Sequence, residues 1–526
     1  MDVGRAALRR LWLPAAVAAP AAFLAVFFAY PLGAIVARGL GESGSVALGE
    51  ETLRILWFTT WQAALSTVLT LAAGLPLAWV VGRFSVRGRS LVLAGVLVPF
   101  VLPTLVVAAA FSSLLPDRLD QSVWAILLAH AFFNVAVVVR VVGGYWAELG
   151  SAIPDAAAVL GAGPLRRLRE VTLPLLAPAL AAAASLTFLF CFTSFGVILV
   201  LGGPPAATLE TEIYNQAARL FELRTAAALS LVQLAAVAAI VLVTSRLESR
   251  LAGRRRASRW GALRRPAARE RTAVALVLTL SVGALSLPVI ALVDRSLSTG
   301  DGVGLDFYRV LAGETSVLLV TPLEAAVNSL LFAAAATAVA LLVGGLLAVA
   351  LSRRGPSWLD GLVLLPLGAS AVMLGFGYVI AFDEPPLDLR ASVVLVPLAQ
   401  ALVAAPFVVR ILAPELRAVE ARLREAASVL GASPNRVWRE IDLPLAARAA
   451  GVAAGFAFAI ALGEFGATVF VAQAERPTLP VAIFRFLGRP GAENQGIAAA
   501  LAVVLALLTI AAATLSERVG RGRSAL

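Results

Sequence analysis

The chain has 526 residues, 60% hydrophobic and 14% charged, with a mean hydropathy of +0.90. Soluble domains average about 25% charged residues, so an ordinary soluble globular protein is excluded and the chain falls in the membrane class. The net charge is +11 without a single lysine. That excludes a P-loop on this chain, because GxxxxGK[ST] needs its lysine on the phosphates.

A strongly basic chain raises the possibility of nucleic-acid binding. Here the arginines concentrate in particular loops between apolar runs, as the positive-inside rule requires, and no nucleic-acid partner is expected. One cysteine, Cys191, and one histidine, His130, permit no intrachain disulfide and no Cys/His metal cluster. Both sit in apolar runs and read as packed membrane-helix residues.

The N-terminus carries Arg5, Arg9 and Arg10, followed by an apolar run at 11–36 that reads as a retained anchor rather than a cleaved signal. Five more spans follow in the first half, at 55–82, 91–115, 122–145, 177–201 and 225–246. Six more lie at 273–293, 325–352, 359–381, 391–413, 447–472 and 496–515. Each is near the roughly 20 residues a bilayer requires, and the runs are continuous rather than alternating, which selects helices over a β-barrel. The fold class expected is an all-α polytopic membrane protein of about twelve transmembrane helices.

Charge sidedness orients these spans. One set of loops carries Arg83, Arg87 and Arg89; Arg140 with Arg166, Arg167 and Arg169; Arg353 and Arg354; Arg410 to Arg439; and the tail arginines Arg518, Arg521 and Arg523. The stretch from Arg250 to Arg271 holds nine arginines against one glutamate. The alternate loops are short or acidic, with Asp117, Asp120, Asp301, Asp306, Glu314, Asp383, Glu384 and Asp388. This predicts a multi-pass protein of the bacterial cytoplasmic membrane with both termini in the cytoplasm.

The sequence is also an internal duplication. At an offset of 270, Val138-Val139-Arg140 matches Val408-Val409-Arg410, Leu173-Pro174 matches Leu443-Pro444, Phe195-Gly196 matches Phe465-Gly466, and Thr208-Leu209 matches Thr478-Leu479. With six helices per half, the two repeats share one orientation and are parallel. The division predicted is a first repeat at 1–247, a basic cytoplasmic linker at 248–272 and a second repeat at 273–526.

The most informative stretches are two polar elbows, DAAAVLGAGPLRRLREVTLP at 155–174 and EAASVLGASPNRVWREIDLP at 425–444. Each reads as a short helix, a glycine break and a second helix begun by Pro164 or by Ser433-Pro434, Ser433 serving as N-cap. The pattern E-A-A-x-x-x-G, nine residues, I/V-x-L-P resembles the permease loop of ABC-type importers. Glu425, Ala426, Ala427, Gly431 and Pro444 fit it fully. Asp155, Ala156, Ala157, Gly161 and Pro174 fit with Asp for Glu and Val171 for Ile.

The resemblance covers nearly the whole chain, through two copies, span count and sidedness. It implies that both elbows couple the permease to cytoplasmic ABC ATPase subunits, a pair of them, which would bind the ATP and Mg. This chain would bind no cofactor or metal and hold no catalytic residue. It also implies an extracytoplasmic substrate-binding protein. Leu165, Leu168, Val437 and Trp438 are the expected apolar anchors, ringed by arginines. The bland reading is an interfacial loop with arginines near lipid headgroups.

Glu464 lies deep in the eleventh span and corresponds to Ser194. With Phe195 and Phe465 they form candidate pathway or gate positions; the alternative is a packing glutamate satisfied by neighbouring hydroxyls. The phenylalanines of spans five and eleven could guide an organic cation, but packing between helices or against lipid is the stronger reading. His130 and Asn134 share a helix face and suit interhelical hydrogen bonds rather than a site. Residues 208–221 read as an amphipathic outer helix with Leu209, Ile213, Ala217 and Leu220 on one face, a platform for the binding protein.

The pairing LGG with TLE-x-EIY resembles the fused two-repeat permeases of the thiamine and ferric-iron group, the thiamine type more closely. An ion-coupled secondary transporter with two six-helix halves is the alternative. It explains the span count but not two EAA-like loops. A membrane-embedded enzyme lacks a His/Asp/Glu cluster.

Overall fold

The computed structural model describes residues 17–40, 49–116, 118–150, 152–203, 206–252, 263–299, 302–352, 366, 368–383, 385, 387–419 and 421–521. Arg5, Arg9, Arg10, Arg353, Arg354, Arg523, Asp117, Asp301, Glu384 and the linker centre at 253–262 lie outside the described residues.

The helices run in chain order as α1 Val17–Leu40, α2 Glu50–Arg83, α3 Arg89–Val101, α4 Thr104–Leu114, α5 Val123–Leu149, α6 Ala152–Val159, α7 Pro164–Phe192, α8 Gly196–Leu201, α9 Leu209–Tyr214 and α10 Leu223–Ala252. They continue as α11 Ala268–Leu297, α12 Asp306–Val310, α13 Pro322–Ser352, α14 Ala371–Ala381, α15 Leu395–Ala418, α16 Ala421–Val429, α17 434–463, α18 Thr468–Val471, α19 Leu479–Leu487 and α20 Ala492–Arg521. The only strands among the described residues are the two-residue pair Ser298–Thr299 and Gly302–Val303.

Ten helices among the described residues are long and apolar enough to cross a bilayer, against about twelve expected. Two causes account for the difference. The third expected span is broken into α3 and α4, which meet at 99°. Leu102 has ψ 135° at the break, because the ring of Pro103 disfavours a helical conformation in the residue before it. The ninth expected span, 359–381, falls partly outside the described residues, and α14 covers its later part.

One compact unit comprises 47–212 and 232–298. Here α2 and α5 pack around Leu77, Val81, Val135, Ala136 and Val139, with Val96 of α3 in the same cluster. Leu176, Ala179 and Ala183 of α7 pack against Ala78, Val138 and Val142. Hydroxyls along α2 turn back onto their own helix: Thr59 donates to Ile55, Thr67 to Ala63 and Thr70 to Ser66, each at 2.7 Å. That removes the need for water at positions buried in the bundle. The exit of the linker is tied to the end of α2: Ser85 N donates to Arg264 O at 2.9 Å, and Arg264 N to Arg83 O at 3.3 Å. The Arg264 guanidinium lies over the Phe84 ring at 4.8 Å and donates to both carboxylate oxygens of Glu270. Donation to Glu270 raises the Arg264 pKa above its ordinary value.

The second compact unit comprises 1–46, 213–231 and 299–526. Its centre is α13 against α15, α15 against α17, and α17 against α20. The N-terminal helix α1 packs on α14, with Phe27 and Tyr30 both against the Phe382 ring at 5.8 and 5.9 Å. The first unit correspondingly holds α11 against α4. Packing therefore places the first helix of each sequence half in the unit built mainly from the other half.

The duplication is visible atom by atom inside each unit. Leu209 N donates to the hydroxyl of Thr59 at 3.1 Å, and Leu479 N to that of Ser329 at 2.6 Å, both pairs separated by 150 residues. These bonds explain the repeated Thr-Leu pair and fix the segments after spans five and eleven onto α2 and α13. Leu209, Ile213 and Ala217 are buried as a consequence, as are Leu479, Val481 and Ile483. The apolar face of the amphipathic segment is turned into the protein, and its first exposed apolar side chains are Leu220 and Phe221.

Candidate functional site

Each elbow begins with a short helix that ends on a glycine. Gly161 has φ +85° and Gly431 φ +84°, a left-handed conformation that costs any residue with a Cβ. Ala162 N bonds Ala157 O and Gly161 N bonds Ala158 O, both at 3.0 Å. The same pair recurs as Ala432 N to Ala427 O and Gly431 N to Ser428 O, at 3.0 and 3.1 Å. This is the Schellman closure, which satisfies carbonyls that a helix end otherwise leaves bare. A Cβ at either glycine would meet nothing within 4 Å, so the dihedral angle alone requires glycine there.

The second helix of each elbow does not end within the elbow. It starts at Pro164 or Pro434, where Arg436 N approaches the Ser433 hydroxyl at 3.4 Å. It then passes through a five-residue π turn, Leu168–Thr172 or Trp438–Asp442, and runs on as the membrane helix. The cause is the Leu-Pro pair. Pro174 and Pro444 have no N–H, and their rings crowd the carbonyl four residues back, so the preceding turn widens. Leu173 N accordingly bonds Leu168 O, and Leu443 N bonds Trp438 O. The motif's terminal proline thus welds the elbow to α7 and to α17.

Exposure shows what the elbows present. Asp155, Ala156, Glu425 and Ala426 are exposed, as are Pro174 and Pro444, while Ala157 and Ala427 are half-buried. The most prominent apolar side chains are Val159 and Leu160, 88% and 87% exposed, and Val429 and Leu430, 85% and 87% exposed. They stand immediately before the glycine turn. Of the expected anchors, Leu165 and Leu168 are exposed, Trp438 is half-buried, and Val437 is turned inward. The more exposed pair is marked in the sequence by the repeated Val-Leu-Gly. Both elbows also carry an exposed ion pair at the same register, Arg166 with Glu170 and Arg436 with Glu440, each at 2.9 Å.

The elbows differ in how their first helix is fastened. Arg424, the residue before the Glu-Ala-Ala run, donates through Nε to Asp442 Oδ1 at 2.7 Å and through Nη2 to Leu416 O at 3.1 Å. Asp442 is fully buried. The corresponding residues of the first elbow are Pro154 and Thr172, both buried.

Ser194, Phe195, Glu464 and Phe465 mark the opposite ends of the same helices. α7 ends at Phe192 and α17 at Gly463, and both chains break before a short helix resumes. Ser194 Oγ lies 2.8 Å from His130 Nε2, and His130 Nδ1 lies 3.0 Å from Ser66 Oγ. Asn134 donates to His130 O, and Gln62 donates to Cys191 O, each at 3.0 Å. The single histidine is therefore the centre of a buried polar cluster, beyond the shared helix face visible in the sequence. In the second repeat, the Glu464 carboxylate accepts from Ala467 N at 2.7 Å, from Thr468 N at 3.0 Å, and from the Thr468 hydroxyl. It caps α18. Phe195 and Phe465 are buried. The glycine after each phenylalanine allows close approach. A Cβ at Gly196 would lie 2.6 Å from Thr104 Oγ1, and one at Gly466 2.9 Å from Ala371 Cβ. No group of three or more His, Cys, Asp or Glu side chains converges among the described residues.

Residues 74–257 and 340–524 each match the family described as binding-protein-dependent transport system inner membrane component. Both matches contain an elbow and the helix that follows it. The chain is 29% identical over 536 aligned residues to the thiamine transport system permease protein of Brucella suis, covering 95% of this chain and 94% of the relative. It is 26% identical to the protein of that name in Escherichia coli, covering 93% and 92%. A probable ABC transporter permease of Sinorhizobium fredii is 25% identical, covering 95% of each chain.

Proposed function

The chain belongs to the binding-protein-dependent transport system inner membrane component family, and from that premise we propose that it moves thiamine through an ATP-driven importer with both permease repeats on one chain. A multi-pass inner-membrane permease of this family works with an ATPase and a binding protein. The finer reading is that hydrolysis takes place on a pair of separate ATPase subunits that hold ATP and Mg. One subunit docks on each elbow, and both termini of the permease face the cytoplasm.

The observation that carries this reading is the pair of exposed knobs, Val159-Leu160 and Val429-Leu430, held by identical glycine turns on elbows continuous with α7 and α17. Exposed valine and leucine side chains on a polar turn favour an apolar pocket on a partner protein. At 1.5 Å per residue, the 29 residues of α7 span about 43 Å. α7 runs from just after the first glycine turn to Phe192, two residues before Ser194, and α17 runs from just after the second to Gly463, next to Glu464. That geometry suits rocking between inward-open and outward-open states. The substrate assignment rests on relatives named as thiamine permeases over nearly the whole chain.

The test is uptake by proteoliposomes containing the permease with its ATPase and binding protein. ATP-dependent accumulation of labelled thiamine is expected, without competition by ferric iron. Uptake of iron instead refutes the substrate assignment. Uptake driven by an ion gradient without ATP refutes the importer reading and favours a secondary carrier.

A further inference from the structure

We propose that Arg424 and Asp442 are a positioning pair that locks the second elbow to α17, making it the stiff lever of the two. This rests on the reading that the elbows receive the ATPase. The Gly431 turn is closed by two backbone bonds, but the open space where a Cβ would sit leaves it without side-chain packing to brace it. If α16 were joined to α17 only by that turn, force on Val429 and Leu430 would bend the turn before it moved the span. The Arg424 side chain removes that freedom. It starts on α16, meets Asp442 inside the wide turn of α17 at 2.7 Å, and reaches the Leu416 carbonyl on α15 at 3.1 Å. Three helices are fixed by one guanidinium.

Asp442 has no exposed side-chain surface, and Arg424 retains 29%. A carboxylate so placed demands a fixed positive partner, which gives the joint one geometry. Arginine suits this better than lysine, because its planar fork holds two acceptors in set directions. In the first elbow Pro154 and Thr172 occupy the equivalent positions, so no charge pair can form there. The Asp155 carboxylate of that elbow acts electrostatically on Arg83 and Arg264, at the end of α2 and in the linker. The two elbows are thus alike in their knobs and different in their fastening.

The experiment uses the full complex with its ATPase and binding protein, and compares Arg424→Ala, Asp442→Asn and the exchange Arg424→Asp/Asp442→Arg. The readouts are the amount of ATPase that co-purifies, the melting temperature, and substrate molecules moved per ATP hydrolysed. Both single variants are expected to retain bound, hydrolysing ATPase while transport per ATP falls about fivefold or more. The exchange is expected to recover most of that ratio. Single variants that assemble and keep the wild-type ratio overturn the proposal. If the singles fail to assemble, an exchange that assembles and transports supports the pair, and an exchange that also fails overturns it. Docking is scored separately by cross-linking from Leu430→Cys in the otherwise unaltered permease. No cross-link removes the docking reading and the lever with it; a cross-link together with unchanged ratios removes the lever alone.

Discussion

His130 Nε2 and Ser194 Oγ lie 2.8 Å apart, joining the middle of α5 to the point where α7 stops. The ring's other nitrogen reaches Ser66 on α2 at 3.0 Å. One imidazole thus ties three helices at the end of the first lever. Replacing it by alanine takes the imidazole partner from two hydroxyls, one of them fully buried. Interhelical hydrogen bonds in membranes average about 0.6 kcal/mol and reach about 1.7. Two such bonds predict a loss of about 1–2 kcal/mol for His130→Ala, read as a lower melting temperature in detergent. An unchanged melting temperature contradicts the tie.

Glu464 caps α18 through two backbone amides and a hydroxyl. Capping groups contribute about 1 kcal/mol, so Glu464→Ala is expected to destabilise the protein by about 1–2 kcal/mol. Glu464→Gln retains a carbonyl acceptor and is expected to lose less. Uptake assays on the two variants separate capping from charge. If capping is what matters, Gln preserves transport better than Ala. Equal loss in both assigns the effect to the negative charge.

Gly431→Ala places a Cβ on a residue at φ +84° with open space around it. The cost is backbone strain without a clash, about 1 kcal/mol, and the chain should still fold. Gly431→Asp and Glu425→Arg add a misplaced charge beside the knob. Both are expected to uncouple hydrolysis from transport while leaving the folding stability within about 1 kcal/mol of the alanine variant. Normal substrate-stimulated hydrolysis and uptake in these variants count against coupling through the elbow.

Leu160→Ser and Leu430→Ser alter side chains that are almost wholly exposed. Surface changes of this kind shift stability by about 0.5 kcal/mol or less. The expected result is unchanged melting of the isolated permease and weaker retention of the ATPase on purification. A stability loss with full retention would mean that these leucines pack within the permease.

Much of this arrangement was legible in the sequence because it is carried by periodicity and by residues with strong local rules. The apolar runs gave the helices. Gly161 and Gly431 gave the turns, and the offset of 270 gave the repeats. Pro174 and Pro444 were visible as motif residues, but their consequence was not. A π turn that welds elbow to span depends on how the helix relieves a missing N–H, which residue type alone does not show. The break at Leu102–Pro103 was hidden in an unbroken apolar run, since composition does not report direction. The polar cluster around His130 joins residues 64 positions apart on either side. Arg424 and Asp442 looked like two more charges in a polar island, and only burial of the aspartate distinguishes them. The segment at 208–221 has the amphipathic pattern expected, and its apolar face packs inward, where Thr59 holds Leu209 as Ser329 holds Leu479 in the second repeat.

The most direct test of the account is site-specific cross-linking from the two knobs. Cys191 is buried and its counterpart in the second repeat is Ala461, so Cys191→Ala gives a background free of native thiols. Leu160→Cys and Leu430→Cys are introduced singly and paired with surface cysteines on the ATPase in the assembled transporter. The account predicts a cross-link from each knob to an ATPase subunit, with yields that change when ATP is bound. An active, ATP-dependent transporter in which neither knob reaches the ATPase would contradict it.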